Sequence, residues 1–277
     1  MKKVKILKGC LYAFFAILSL LSVMPFLIMF VNATRSTPQI QQQALSLIPG
    51  RDLANNWYHL MVGAFDPFVG FQNSFIISTG ATLLSVYFSS LTAYGIVAYD
   101  WKLKKGFFAL IMTILMIPGT VMVIGFFQFM WQLGWNNNYL PLIIPAIASP
   151  GVVFFMKQYL QSTLSMEMVE AARIDGSGEF ATFNKIVLPL MKPAIATQAI
   201  FIMVGTWNQL FLPMVLLSRQ QMWTMPIMVS QLQGNIYATE FGAVWLGLTL
   251  TVLPLFVVYA FLSKFIIAGV ALGGVKE

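Results

Sequence analysis

Charge is scarce in this chain of 277 residues. Only 9% are Asp, Glu, Lys or Arg, against about a quarter in an ordinary soluble domain. A soluble fold of this length would have too little polar surface to face water. That excludes a soluble enzyme, and also a disordered chain, which needs low hydrophobicity and high net charge. Cysteine and histidine are scarcer still. One Cys, Cys10, rules out an internal disulfide, and one Cys with one distant His, His59, cannot build a zinc site from His and Cys ligands. Cys10 precedes the first apolar run, where a lipidated Cys would follow it, so it reads as a buried or interfacial thiol. No G-x-x-x-x-G-K-[ST] phosphate loop is present: Gly176-Ser177-Gly178 is too short and lacks the Lys. The expectation is a chain without catalytic residues and without a cofactor or metal of its own.

What the chain has in abundance is apolar sequence, at 58%. A spanning helix needs about 20 mostly apolar residues. Six runs meet that requirement: residues 11–31, 75–98, 107–130, 140–160, 194–217 and 241–263. The first follows Lys2, Lys3, Lys5 and Lys8 and looks at first like a signal peptide. It is longer than a signal core and no small-residue cleavage site follows, so it reads as a retained helix. The expected fold class is all-α, a polytopic membrane protein with six transmembrane helices. Pro118-Gly119, Pro145, Pro150-Gly151 and Pro254 are sites where these helices can kink.

The net charge of +7 bears on orientation rather than on nucleic acid. With the N-terminus inside and six crossings, thirteen Lys and Arg fall on the inner side. Only Arg35, Arg51 and Arg219 fall outside. The positive-inside rule therefore places both termini in the cytoplasm. Residues 32–72 then form a polar external loop with Pro38, Pro49 and Pro67, and residues 161–193 form a long cytoplasmic loop.

That cytoplasmic loop holds four of the nine acids, Glu167, Glu170, Asp175 and Glu179. It reads Glu170-Ala171-Ala172-Arg173-Ile174-Asp175-Gly176 and, nine residues on, Ile186-Val187-Leu188-Pro189. Residues 168–174 favour a short helix. Gly176 permits a left-handed turn, a second short helix fits 179–187, and Pro189 and Pro193 mark the approach to the next span. A helix–turn–helix on the membrane surface is either a docking surface for a cytoplasmic partner or a plain amphipathic loop. Arg173 and Asp175 are placed to pair locally, which at an exposed site is worth little.

Polar residues within the spans are the candidates for a substrate path. Ser74, Ser78, Ser85, Ser89 and Thr92 share roughly one face of the second run, as small residues do for close packing or for lining a pore. Gln198, Thr206, Asn208 and Gln209 surround Trp207 in the fifth. Amides with an indole suit the hydroxyls and faces of a sugar, and equally suit hydrogen bonds between helices.

The spacing Glu170, Ala171, Ala172, Gly176, Ile186, Leu188, Pro189 resembles the EAA loop of bacterial ABC importer permeases. Asn73-Ser74, the run Trp207 to Pro213 and the tail 269–276 are similar to the carbohydrate branch, the maltose/oligosaccharide permease family. The likeness covers the chain from Asn73 onward and is weakest over 32–72. It implies a type I importer permease fold with one permease domain over 1–277. Within it, 1–31 is the N-terminal tail and helix, 32–72 the external loop and 73–160 helices two to four. Residues 161–193 are the coupling loop, and 194–277 helices five and six with the tail. It implies ATPase coupling through Glu170, Ala171, Ala172, Asp175 and Gly176, and a substrate path near Trp207, Asn208, Gln209 and Gln198. The implied partners are a second, homologous permease in a heterodimer, two ATP-binding subunits that use ATP and Mg, an external solute-binding protein and a carbohydrate. The implied location is the bacterial cytoplasmic membrane. Three positions depart from the family pattern: Gln209 where an acid is common, Ser177 where Ala is usual, and Glu277 at the end.

Other transport readings make specific demands. A phosphorylated polyol would favour a basic residue in the core, and none of the six runs has one near its centre. An ion-coupled carrier would need buried charges, and a membrane enzyme a cluster of titratable groups.

Overall fold

The computed structural model describes residues 2–62, 65–232 and 239–274. Residues 275–277, including the end of the tail singled out above, lie outside the described residues. So do the side chains of Lys2, Lys3, Lys5 and Lys264, which entered the orientation count. Every regular element among the described residues is a helix.

Four helices are long and apolar enough to cross a membrane: Leu7–Asn32, Pro67–Ala98, Leu140–Thr163 and Phe241–Phe261. A fifth passes only as the pair Glu179–Leu190 and Lys192–Trp207, bent by 78°. The expected continuous helix at 107–130 is instead α5 (Lys104–Leu115) and α6 (Gly119–Gln132) in the numbering below. Pro118 accounts for the break, because it lacks an N–H and its ring opposes the carbonyl of Ile114. The expected helix at 194–217 stops at Trp207 and resumes at Phe211, since Pro213 cannot bond the carbonyl of Gln209. At 140–160 the helix passes through a 3-10 turn, Ile144–Ile147, around Pro145, then restarts at Pro150. Pro25 and Pro254 sit within continuous helices.

The chain divides into two compact units. One consists of Met1–Pro67 and Met228–Pro254. It contains α1 (Lys2–Asn32), α2 (Thr37–Gln42) and α3 (Leu53–Val62). Cys10 is exposed on α1, as are Phe14, Leu20 and Leu21, the pattern of a face meant for lipid. The polar segment expected as a loop at 32–72 is a folded structure around a buried guanidinium. Arg35 donates to Asn32 Oδ1 at 3.0 Å, to the Gln43 carbonyl at 2.6 Å and to the Gln39 carbonyl at 2.9 Å. Asn56 Nδ2 donates to the carbonyls of Ala33 and Arg35, and Thr37 Oγ1 to Glu240. A Cβ at Gly242 would meet the Asn56 amide at 2.2 Å, so glycine is required there by space. Asn32 is fully buried and its Nδ2 donates to the Ala44 carbonyl at 2.9 Å.

The other unit consists of Phe68–Ile227 and Leu255–Glu277. Its long element is α4 (Pro67–Ala98), which begins eight residues before the expected 75. Pro67 suits a first helical position, where the missing N–H costs nothing. α5 and α6 follow, then α7 (Leu140–Ile143), α8 (Pro150–Thr163), α9 (Met166–Ile174), α10 (Glu179–Thr182), α11 (Leu188–Leu190), α12 (Lys192–Trp207) and α13 (Phe211–Leu216). The last helices, α14 (Met225–Gln231) and α15 (Phe241–Gly274), are divided between the two units, at Met228 and at Pro254. The serine stripe of α4 is packed inside this unit. Ser74, Ser78, Ser85 and Ser89 are buried. Ser78 bonds the Ser74 carbonyl, Ser85 bonds Ser149, and Ser74 Oγ accepts from the Met225 N–H at 2.9 Å. Of the two readings of the stripe, close packing fits these contacts.

Removing the Arg35 guanidinium leaves the buried Asn32 Oδ1 without its donor, while the Gln39 and Gln43 carbonyls keep the N–H groups of Gln43 and Ser46. Arg35→Ala is expected to cost about 2 kcal/mol, because one buried acceptor is left unsatisfied and two carbonyls lose a charged donor. A clear drop in the melting temperature of the detergent-purified protein checks it, and an unchanged value would contradict the role.

Candidate functional site

The loop at 161–193 folds as a hairpin of short helices. α9 ends in a Schellman motif: the Ser177 N–H bonds the Ala172 carbonyl at 2.9 Å and the Gly176 N–H bonds the Arg173 carbonyl at 3.0 Å. Gly176 has φ +78, a left-handed value that side chains resist. A Cβ there would meet nothing within 4 Å, so the requirement for glycine is conformational rather than steric. Ser177, the departure from the usual Ala, accepts from the buried Thr182 hydroxyl at 3.0 Å and ties the turn to α10. After α10 comes a π turn, Phe183–Val187, then α11 and α12.

The hairpin has two faces. Val169, Ala172, Phe183 and Val187 are buried and join Tyr94, Ala98, Met156 and Leu160 in one apolar cluster. Glu170, Ala171 and Asp175 are exposed on the other side, with Ile174 at 86% and Phe180 at 65%. Of the five residues expected for coupling, Glu170, Ala171 and Asp175 therefore face outward. Ala172 anchors the helix from below and Gly176 shapes its end. Two exposed apolar side chains beside two carboxylates give the tip the composition of a docking surface.

The expected local pairing of Arg173 with Asp175 does not occur. Arg173 Nε instead meets Glu179 Oε1 at 2.8 Å. Residues two apart on a helix do not face each other, whereas the turn returns Glu179 to Arg173. The Tyr99 hydroxyl donates to Glu179 Oε2. The hydrogen bond from Tyr99, then that from Arg173, holds the Glu179 carboxyl below its ordinary range. Its ion pair is thus complete at neutral pH and is lost only as pH falls through that lowered value. Burial and the Glu179 hydrogen bond push the Tyr99 phenol up, so it stays a donor. Glu179 and Tyr99 were not singled out from the sequence.

The residues expected along a substrate path are only partly brought together. Trp207, Asn208 and Gln209 lie at the end of α12 and the break after it, and Asn208 and Gln209 are exposed. Trp207 is 2% exposed and packs edge-on against Phe71 at 5.6 Å, so its faces are occupied by protein. Gln209 is the polar residue of an apolar groove of ≈ 460 Å³ that includes Met122, Phe126, Pro145 and Phe211. Gln198 lies nine residues before Trp207, which on a helix at about 100° per residue is the opposite face. The buried amide that sequence reading left without a role is Asn73. Its Nδ2 donates to the carbonyls of Gln221 and Trp223, both at 2.9 Å, and its Oδ1 accepts from Tyr139 at 2.7 Å.

Residues 85–271 match the family described as the binding-protein-dependent transport system inner membrane component. The chain belongs to this family. Its members are membrane components of transporters, with the ATPase in a separate subunit. The permease is 34% identical to the arabinooligosaccharides transport system permease protein AraQ of Halalkalibacterium halodurans, over 95% of this chain and 94% of that protein. It is 29% identical to the lactose transport system permease protein LacG of Rhizobium radiobacter, covering 96% and 95%. It is 31% identical to the sn-glycerol-3-phosphate transport system permease protein UgpE of Yersinia enterocolitica, covering 90% and 91%. Its fold is similar to a chain in the crystal structure of a bacterial ABC transporter involved in the import of the acidic polysaccharide alginate. The TM-score is 0.80 at 20% identity, covering 96% of the permease and 98% of that chain. The permease is a multi-pass membrane protein.

The left-handed turn makes a direct test. Gly176→Ala is expected to cost about 1 kcal/mol and Gly176→Asn less, since Asn tolerates αL. Melting temperatures in the order wild type, Asn, Ala would agree; an Ala variant as stable as wild type would not.

Proposed function

We propose that the permease carries a carbohydrate, an oligosaccharide in particular, across the bacterial cytoplasmic membrane in an ATP-dependent importer. The observation that carries this reading is the outward face of the α9 hairpin, built on the Gly176 turn, in a chain 34% identical to an arabinooligosaccharide permease. Six crossings are proposed, α5 with α6 and α12 with α13 each forming one broken span, and both termini cytoplasmic. Residues 32–72 then face outward and 161–193 inward. All of 1–277 acts as one permease domain.

The proposed complex adds a second, homologous permease, two ATP-binding subunits using ATP and Mg, and an external solute-binding protein. Glu170, Ala171 and Asp175 would meet an ATPase subunit, with Ala172 and Gly176 holding the helix in position. Closure of the two ATPases would move the hairpin and tilt the helices between inward-open and outward-open states. Gln209 and Asn208, where the fifth span is broken, are proposed to offer hydrogen bonds to sugar hydroxyls. Trp207 and Gln198 would support that region. A second reading, a phosphorylated polyol as cargo, is favoured by the 31% identity to a glycerol-3-phosphate permease.

The test uses the permease purified with the proteins encoded beside it and reconstituted in proteoliposomes. ATP-dependent uptake of labelled oligosaccharide, not competed by glycerol 3-phosphate, is expected. Uptake without ATP hydrolysis overturns the importer, and uptake of glycerol phosphate alone selects the second cargo. Glu170→Lys and Gly176→Asp should each lower uptake per ATP about tenfold while the chain still inserts. Wild-type coupling in both would contradict the docking role.

A further inference from the structure

The hairpin has a second carboxylate with a task opposite to that of Glu170. Among the described residues, no side-chain hydrogen bond or ion pair holds Glu170, which faces outward. Glu179 is also exposed, but both of its oxygens are engaged by protein donors. Oε1 takes the Arg173 Nε–H, from the first arm of the hairpin. Oε2 takes the Tyr99 hydroxyl, one residue beyond the end of α4, with the Tyr94 hydroxyl at 3.5 Å. The Arg173 guanidinium also lies 5.6 Å from the centre of the Tyr99 ring.

The contact continues along the second arm. Phe183 is fully buried, stacked on Tyr94 at 5.7 Å and edge-on to Tyr87 at 5.8 Å. The next residue, Asn184, accepts from the Tyr87 hydroxyl at 3.2 Å. Tyr87, Tyr94 and Tyr99 thus engage residues 179, 183 and 184 in a row. An exposed ion pair alone would count for little. This one has a fixed direction, because two tyrosines and a buried ring define its position. The arm from Glu179 to Leu190 meets α12 at 78°, so a push on the hairpin has no straight path along α12.

We propose that Glu179 is a positioning residue that latches the coupling hairpin to α4, so that α4 is the helix the hairpin drives. The proposal rests on the coupling role of the hairpin given above. Force applied to the exposed face of α9 passes through the Gly176 turn and the Arg173–Glu179 pair into α10. It then enters α4 at Tyr99, Tyr94 and Tyr87. The latch fixes register and direction, and contributes nothing to the affinity of the ATPase for the permease.

The experiment measures ATP hydrolysed per sugar imported by the whole reconstituted transporter, with subunit stoichiometry of each preparation determined in parallel. Glu179→Ala and Tyr99→Phe are each expected to raise that ratio about fivefold with all subunits present, the scale of losing one ordinary hydrogen bond at an exposed site. The double variant should be no worse than Glu179→Ala alone, since that substitution already removes the Tyr99 contact. Glu179→Gln, which keeps an acceptor for Tyr99, should restore part of the coupling. A wild-type ratio in Tyr99→Phe, or additive losses in the double variant, overturns the latch. If Glu179→Ala does not assemble, Tyr99→Phe decides alone, as it deletes one hydroxyl. Glu170→Lys in the same assay separates the two ideas. If it uncouples and the latch variants do not, only the latch falls; if it too is coupled normally, the hairpin is not the transmitting element.

Discussion

A peptide group in hydrocarbon has no water to bond, so every backbone donor and acceptor there must find a partner within the protein. That constraint makes this chain all-helical among the described residues and decides where irregularity is tolerated. α4 runs for 32 residues without a break. Its hydroxyls add second bonds to carbonyls already within the helix, as Ser78 does to Ser74, Thr82 to Ser78 and Ser90 to Val86. Three of the breaks within the apolar runs fall at prolines that leave a carbonyl unmatched, at Pro118, around Pro145 and ahead of Pro213. The last of these frees the stretch carrying Asn208 and Gln209, so the polar groups nearest a groove sit where the helix has opened.

The two ends of α4 are fastened by different chemistry. Near its start, an amide reads backbone: Asn73 holds two carbonyls of the 218–224 segment and the Tyr139 hydroxyl. Asn137, with φ 53, likewise accepts from the N–H groups of Ser218 and Arg219. These bonds fix loops relative to the helix and suit a part that holds still. At the far end the fastening is aromatic and ionic, through Tyr87, Tyr94, Tyr99 and Glu179. That fastening joins α4 to the hairpin rather than to the 218–224 segment.

Much of this was legible in the chain and some was not, for reasons that particular residues make plain. The helical class followed from apolar runs, and the turn at Gly176 from a glycine behind a short helix-forming stretch. Hydropathy averages over a window, so the runs at 107–130 and 194–217 hid the effect of Pro118 and Pro213. The segment at 32–72 lacks periodicity, and its organising residue, Arg35, is a charge that composition assigns to the surface. Glu179 read as one of four acids because its partner Tyr99 is 80 residues away, beyond any local pattern. Trp207 read as a sugar platform by type, while its ring is committed to Phe71.

The π turn at Phe183–Val187 bears on geometry as well as on linkage. In a regular helix, side chains four apart drift steadily around the axis, so a stripe at spacing four winds away from any flat neighbour. A wider turn takes up that drift. Phe183, Val187 and Met191 are spaced by four, and all three are fully buried in the same apolar cluster. The extra residue in the turn acts as a phase correction: it straightens a winding row into a rail, along which the hairpin can bear on its neighbours as one edge.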